Sequence, residues 1–158
     1  MITVEIKDQE VTAMLNRLMA GMKDMRPAMA NIAQALASES ERQLAGQTGP
    51  LGAWPALASS TIFDRTKKGT WPGRMLQVSS GGLAASIQTA YDQNSARIGS
   101  NKPYSAIHMF GGAAGRGHAA KIPARPYLPF NPQTAELSDP AKATVLDVLE
   151  TFLGQLSG

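Results

Sequence analysis

His108 and His118 are the only histidines in this chain, which has no cysteine. A hydrolytic or metal-assisted reaction would have to begin from them. Their spacing of ten fits neither a pair one helical turn apart nor half of a zinc finger. Acidic residues are nearly absent from the middle of the chain where both lie, so a His–carboxylate couple would need a partner from either end. His108 is read as a hydrogen-bonded residue of the interior or of an interface. Gly111, Gly112, Gly115 and Gly117 could cradle a phosphate. They lack the Lys-Ser/Thr sequel of a P-loop and the preceding strand of a dinucleotide site, and the stretch reads as a mobile loop that orders on assembly. Asp8 with Glu10, and Glu39 with Glu41, are i, i+2 pairs that diverge on a helix, so they do not form an acid–base pair. These residues assign no catalytic, metal or cofactor site.

Basic side chains are the stronger signal. Residues 65–125 carry nine (Arg65, Lys67, Lys68, Arg74, Arg97, Lys102, Arg116, Lys121, Arg125) against Asp92 alone, a balance of +8, although the whole chain is only +3. Residues 1–64 stand at −2 and residues 126–158 at −3. A basic middle between acidic ends points to a polyanion, to an acidic partner, or to other copies of the same chain. Arg65, Lys67, Lys68 and Arg74, with Trp71 among them, form the densest patch. It is either a solvated loop or a non-specific contact to a nucleic-acid backbone. No helix-turn-helix, RNA-recognition or zinc pattern accompanies it.

With 158 residues and 43% apolar content, one domain spanning 1–158 and one core are expected. Alanine supplies much of the apolar count. Glycine and proline together make 25 residues, concentrated between Gly46 and Pro132, which predicts long loops there, ordered mainly by neighbouring subunits. Nothing near Met1 resembles a secretory leader, and no apolar run approaches the ~20 residues that cross a bilayer.

The elements that must hold these groups are predicted as follows. Ile2, Val4 and Ile6 alternate with polar residues as in a half-buried strand. Asp8 is placed to cap a helix with Val11, Met14, Leu15, Leu18 and Met22 on one face. Pro27 opens a second helix, with Met29, Ile32, Ala33, Leu36, Ser40 and Leu44 as its stripe, ending near Gly46. Six methionines lie between Met1 and Met29, serving either core packing or a plastic partner face. Residues 46–74 read as an extended loop, with one helical turn from Ser59 or Ser60 to Phe63. Residues 83–90 and 95–99 read as a hairpin with Tyr91–Asn94 at its tip. Pro123, Pro126, Pro129 and Pro132 force an extended path. Asp139-Pro140 caps a last helix bearing Val145, Val148, Leu149 and Phe152. The fold class is therefore α+β: N-terminal helices and a C-terminal helix packed on a small antiparallel sheet, with long Gly/Pro-rich loops.

Three blocks resemble the phage virion morphogenesis, or tail completion, proteins of Mu-like tailed phages. Gly52-Ala53-Trp54-Pro55-Ala56-Leu57 followed by Ser60-Thr61-Ile62 is similar to the family's Gly-x-x-Trp-x-x-Leu loop. Met75-Leu76, Gly82-Leu83 and Ser86-Ile87 are similar to its Leu-x-x-x-Gly-x-Leu-x-x-Ser-Ile stretch, with an extra residue or two before Gly82. Ile98-Gly99-Ser100, the run Tyr104 to Gly112, and Ile122-Pro123-Ala124-Arg125-Pro126-Tyr127-Leu128 are similar to its third block.

The resemblance implies a late virion protein of the head–tail neck. It implies no catalysis and no cofactor. It implies a homo-oligomeric ring, commonly six-fold, that completes the tail or joins it to the DNA-filled head beside adjacent neck and tail proteins. Such a subunit is made in the host cytoplasm and resides in the virion, not in a membrane. On this reading Arg125, fixed between two prolines, pairs with a carboxylate of the next subunit. Trp54, Tyr104, His108, Phe110 and Tyr127 are the other interface candidates, with burial inside the subunit the alternative for Tyr104, His108 and Phe110. Arg65, Lys67, Lys68 and Arg74 face either a lumen where packaged DNA passes or the acidic rim of an adjoining ring. Two rival functions remain at this stage: a free-standing DNA-binding module using residues 65–125, and a hydrolase using the two histidines.

Overall fold

The structure, a computed structural model, describes residues 2–4, 8–21 and 24–156. Along the chain run β1 (Ile2–Val4), α1 (Gln9–Gly21), α2 (Arg26–Gly46), β2 (Thr48–Gly49), β3 (Gly52–Ala53) and α3 (Ser59–Lys67). There follow β4 (Ile87–Tyr91), β5 (Ala96–Ser100), α4 (Ser105–Phe110), β6 (Gly112–Ala114), β7 (Ala120–Ile122) and α5 (Asp139–Leu156). This is the expected α+β arrangement.

The long helix α2 organises the rest. Pro27 sits in its first turn, where a missing N–H costs nothing. The Asp24 carboxylate accepts the Arg26 N–H at 3.0 Å. Gln93, at the tip of the β4–β5 hairpin, accepts the Met25 N–H at 3.0 Å when its amide is oriented to satisfy both ends. Met25, Ala28, Met29, Ile32, Ala33, Leu36, Ser40, Gln43 and Leu44 are buried on α2 or at its cap, spaced by threes and fours. α2 packs against both α5 and the β4–β5 hairpin. The packing reading of the methionines holds for Met25 and Met29, each 1% exposed. The side chains of Met1, Met19 and Met22 lie outside the described residues.

β5 is the middle strand of an antiparallel sheet in the order β1-β5-β4. Ile98 stands opposite Val4 on one side and Thr89 on the other, and its side chain is buried. The Ser86 and Ser100 hydroxyls bond to each other at 2.6 Å inside the fold. At the hairpin tip the Asp92 carboxylate accepts the N–H groups of Asn94 and Ser95 at 2.8 and 2.9 Å. Those bonds hold its carboxyl below the usual carboxylate range, the Asn94 N–H contributing most. The expected strand at residues 2–6 is seen as β1, and residues 5–7 lie outside the described part.

Asp8 caps α1 as expected, accepting from the N–H groups of Glu10 and Val11 at 3.0 and 3.2 Å. It also meets Lys142 Nζ of α5 at 2.9 Å. Burial alone would raise the Asp8 carboxyl, but the Lys142 bond and the Val11 N–H outweigh it and hold it below its ordinary value. α5 begins one residue earlier than expected: the Ser138 hydroxyl, not Asp139, accepts the Ala141 N–H at 3.4 Å. Ala141, Val145 and Leu149 then bury one stripe.

Three expectations for the middle are corrected. Residues 46–74 are not one extended loop, since they hold the β2–β3 hairpin and the nine-residue helix α3. Residues 111–117 are not loop throughout, since β6 pairs with β7, Gly112 opposite Ile122 through Ala114 opposite Ala120. The run 125–130 is extended, as its prolines require, but it is the innermost part of the chain. All six of its residues are buried, and Tyr127 and Leu128 have no measurable exposure.

Candidate interaction site

The buried run 125–130 lacks N–H groups at each proline, yet its carbonyls still need donors. Side chains from distant parts of the sequence supply them. The Ser40 hydroxyl donates to the Tyr127 carbonyl at 2.5 Å. The Gln43 amide, with its nitrogen facing the run, donates to the carbonyls of Tyr127 and Leu128 at 3.2 and 3.0 Å. Trp54 Nε1 donates to the Pro126 carbonyl at 3.0 Å. Gly49 lies against that same carbonyl, and a Cβ there would overlap it.

Arg125 works in the opposite direction. Its Nε and one terminal nitrogen donate to the carbonyls of Pro55 and Ala56, both at 2.9 Å. Its own N–H donates to the His108 carbonyl at 2.7 Å. Arg125 thus ties together the segment leading to α3, helix α4 and the central run. Gly111 closes α4 with φ of +73°, and a Cβ there would come within 2.9 Å of the Ala124 nitrogen. The α4 end and the chain leaving β7 are therefore in close contact.

This placement corrects the interface expectation for three residues. Trp54, Arg125 and Tyr127 are 6%, 5% and 0% exposed, with their polar groups bonded inside the chain. Arg125 serves backbone carbonyls of its own subunit instead of a neighbour's carboxylate. Burial pushes the Tyr127 hydroxyl up to about 12, and it donates to the Ser105 carbonyl at 3.3 Å. Tyr104 and Phe110 are exposed, at 42% and 48%. The Tyr104 ring meets His108 edge-on at 6.0 Å, and Phe110 leans on Phe130 at 6.2 Å.

A cavity of about 310 Å³ opens between α3, the 76–83 loop, α4 and β7. Leu57, Leu76, Val78, Leu83 and Ile122 form apolar walls, Arg65, Lys121, Arg125 and His108 supply the basic lining beside Thr61, Ser79 and Tyr104, and no carboxylate lines it. His108 is half-buried, and its Nδ1 is buried without a hydrogen-bond partner. Burial, and secondarily the Arg125 charge, lower its basicity. Burial and the Arg65 charge likewise lower that of Arg125. Cations stand together here with backbone carbonyls but no carboxylate to offset them.

Of the expected basic patch, Arg65 reaches the cavity and donates to the Arg74 carbonyl at 3.2 Å. Lys67 lies 4.5 Å above the Phe63 ring. Lys68 and Arg74 are exposed. Helix α3, which carries Phe63, Arg65 and Lys67, buries no residue at all. None of the cavity walls Leu57, Leu76 and Val78 is legible as a site residue in the sequence, where Leu57 and Leu76 stand out only within the family-like blocks, because isolated apolar residues among prolines and glycines show no period. Lys121 was legible only as part of the net charge. Among the described residues, no three His, Asp or Glu side chains stand together to hold a metal. No helix among them is long and apolar enough to cross a membrane.

Comparison with known proteins gives a match to the phage virion morphogenesis family over residues 6–154. The Mu-like prophage FluMu G protein 2 of Haemophilus influenzae is 38% identical over 134 residues, covering 84% of this chain and 87% of that protein. The putative capsid assembly protein G of Escherichia phage Mu is 40% identical over 100 residues, covering 61% of this chain and 64% of that one. No solved structure matches. With a family match along nearly its whole length, and a relative aligned over most of both chains, this chain belongs to the phage virion morphogenesis family.

Proposed function

We propose that the chain is a structural subunit of the head–tail neck, which completes the tail or joins it to the DNA-filled head by assembling with its own copies into a ring. Family membership supports a role in building the virion, and the names of the relatives, a prophage G protein and a putative capsid assembly protein, point the same way. The observation that carries the reading is a firmly anchored outer layer with large apolar side chains turned outward. Phe63, Val78, Tyr104 and Phe110 are 59%, 49%, 42% and 48% exposed, while Arg125 and Trp54 pin the segments beneath them. Exposed apolar groups on a stiff frame are what a neighbouring subunit covers.

In this role the chain does its work by contact. Particles made without it are expected to accumulate as filled heads and separate tails, and electron microscopy of a lysate from a phage carrying an amber codon in this gene tests for both. Normal infectious particles lacking the chain would end the reading.

A further inference from the structure

We propose that the cavity between α3, α4 and β7 receives the Asp147–Glu150 edge of helix α5 from a second copy of this chain, so that neighbours join head to tail. The inference rests on the ring assembly proposed above and names the contact that makes it.

Four observations carry it. The cavity presents Arg65 and Lys121, with the internally tied Arg125 adding positive charge beneath them and no acidic side chain in the lining, so like charges stand together without an anion. His108, also in the lining, adds a ring nitrogen that is buried without a hydrogen-bond partner among the described residues. On α5, Asp147 and Glu150 are both exposed, three residues apart and hence on one face, and neither makes an ion pair among the described residues. Lys142 of that helix is already engaged by Asp8 and Glu10, at 2.9 and 3.6 Å. Among the described residues the acidic edge therefore lacks a cation, just as the cavity lining lacks a carboxylate.

The two patches also lie on different parts of the molecule. No residue of α1, α2 or α5 lines the cavity. A copy can thus give its α5 edge to one neighbour and its cavity to another, which is the heterologous geometry that closes into rings. The walls favour this occupant over duplex DNA. Leucine, valine and isoleucine side chains match the methylenes of Glu150 and the methyl of Thr151, whereas a phosphate backbone offers them nothing. A recess of about 310 Å³ admits a few side chains but not the breadth of a duplex.

The test uses the full-length chain and native mass spectrometry at low and high salt. One variant reverses the cavity (Arg65→Glu with Lys121→Glu) and another reverses the edge (Asp147→Lys with Glu150→Lys). All four side chains stand outside the buried core. Each variant alone is expected to stay monomeric at concentrations where the wild type assembles. An equimolar mixture is expected to regain assembly with the two variants alternating, because each supplies the charges that the other lacks. That rescue cannot come from a misfolded protein. Assembly of the cavity variant alone, or a mixture that stays apart while each variant melts as the wild type does, overturns the contact but leaves the ring reading standing. Cavity-variant rings that form as the wild type does but no longer retain duplex DNA overturn it in favour of a nucleic-acid site. A wild-type chain present as a single copy per purified particle removes both the contact and the ring.

Discussion

Arg125 Nε lies 2.9 Å from the carbonyl oxygen of Pro55, seventy positions earlier, and the same guanidinium reaches Ala56. Two charge-assisted bonds from one planar group fix the entry to α3, a helix that buries nothing of its own. Arg125→Ala is expected to destabilise the isolated chain by about 2 kcal/mol or more, since buried carbonyls lose charged donors. Urea unfolding measures this. Limited proteolysis of the variant is expected to cut first between Ala56 and Lys68. Arg125→Lys rescues little, because one ammonium does not reproduce the fork.

Trp54 donates to the Pro126 carbonyl, and Gly49 leaves room for that same oxygen. Trp54→Phe removes one donor and is expected to cost about 1 kcal/mol from the lost bond alone, with more from the smaller ring. Gly49→Ala pushes a methyl into that carbonyl and is expected to cost about 1–3 kcal/mol through forced displacement. Thermal melts of both variants check the order. A Gly49→Ala protein as stable as the wild type would mean that the β2–β3 hairpin shifts freely.

His108 supplies a pH test. Its folded-state basicity is depressed below the ordinary 6.5, first by burial and then by Arg125. The unfolded chain therefore binds a proton at this site before the folded chain does, and stability falls as pH drops below 6.5 toward the folded value. Above that window the contribution is fully present. His108→Gln is expected to flatten the slope of melting temperature between pH 7.5 and 5.5. An unchanged slope would assign it to other groups.

Asp8 titrates lower. Its carboxyl is held below 3.8 by the Lys142 bond and two N–H groups despite burial. The stability it contributes is complete above 3.8 and is lost as pH falls through the folded value. Asp8→Ala is expected to cost about 1 kcal/mol at pH 7 as a lost helix cap. It should also remove part of the acid sensitivity, as chemical denaturation at pH 7 and pH 3 would show.

What could be read from the residues follows the range of the forces involved. α2, the β4–β5 hairpin and α5 were legible because a stripe, a proline in the first turn or an Asp at a tip acts within a few positions. Helix α3 was read as a single turn because it has no buried face to leave a period. The β6–β7 hairpin was read as a loop because glycine and alanine carry little strand preference. Run 125–130 was judged extended correctly and placed wrongly. Its prolines announce the path, but the donors that make burial tolerable are Ser40, Gln43 and Trp54, all far away in the sequence. The same distance turned Arg125 from an expected interface residue into an internal tie. Tyr104, His108 and Arg65 were picked out from the residues, and the cavity they share became visible only once α3 and α4 faced each other.

The Ser40 bond to Tyr127 spans 87 positions. Because α2 emerges from the ribosome long before the strand-like run that fills the space beside it, a nascent chain stopped at Ile122 presents an unfilled apolar face. Such a topology makes folding a late event, slowed by the need to close large loops. Closure of the apolar face of α2 thus waits on the synthesis of residues 123–130.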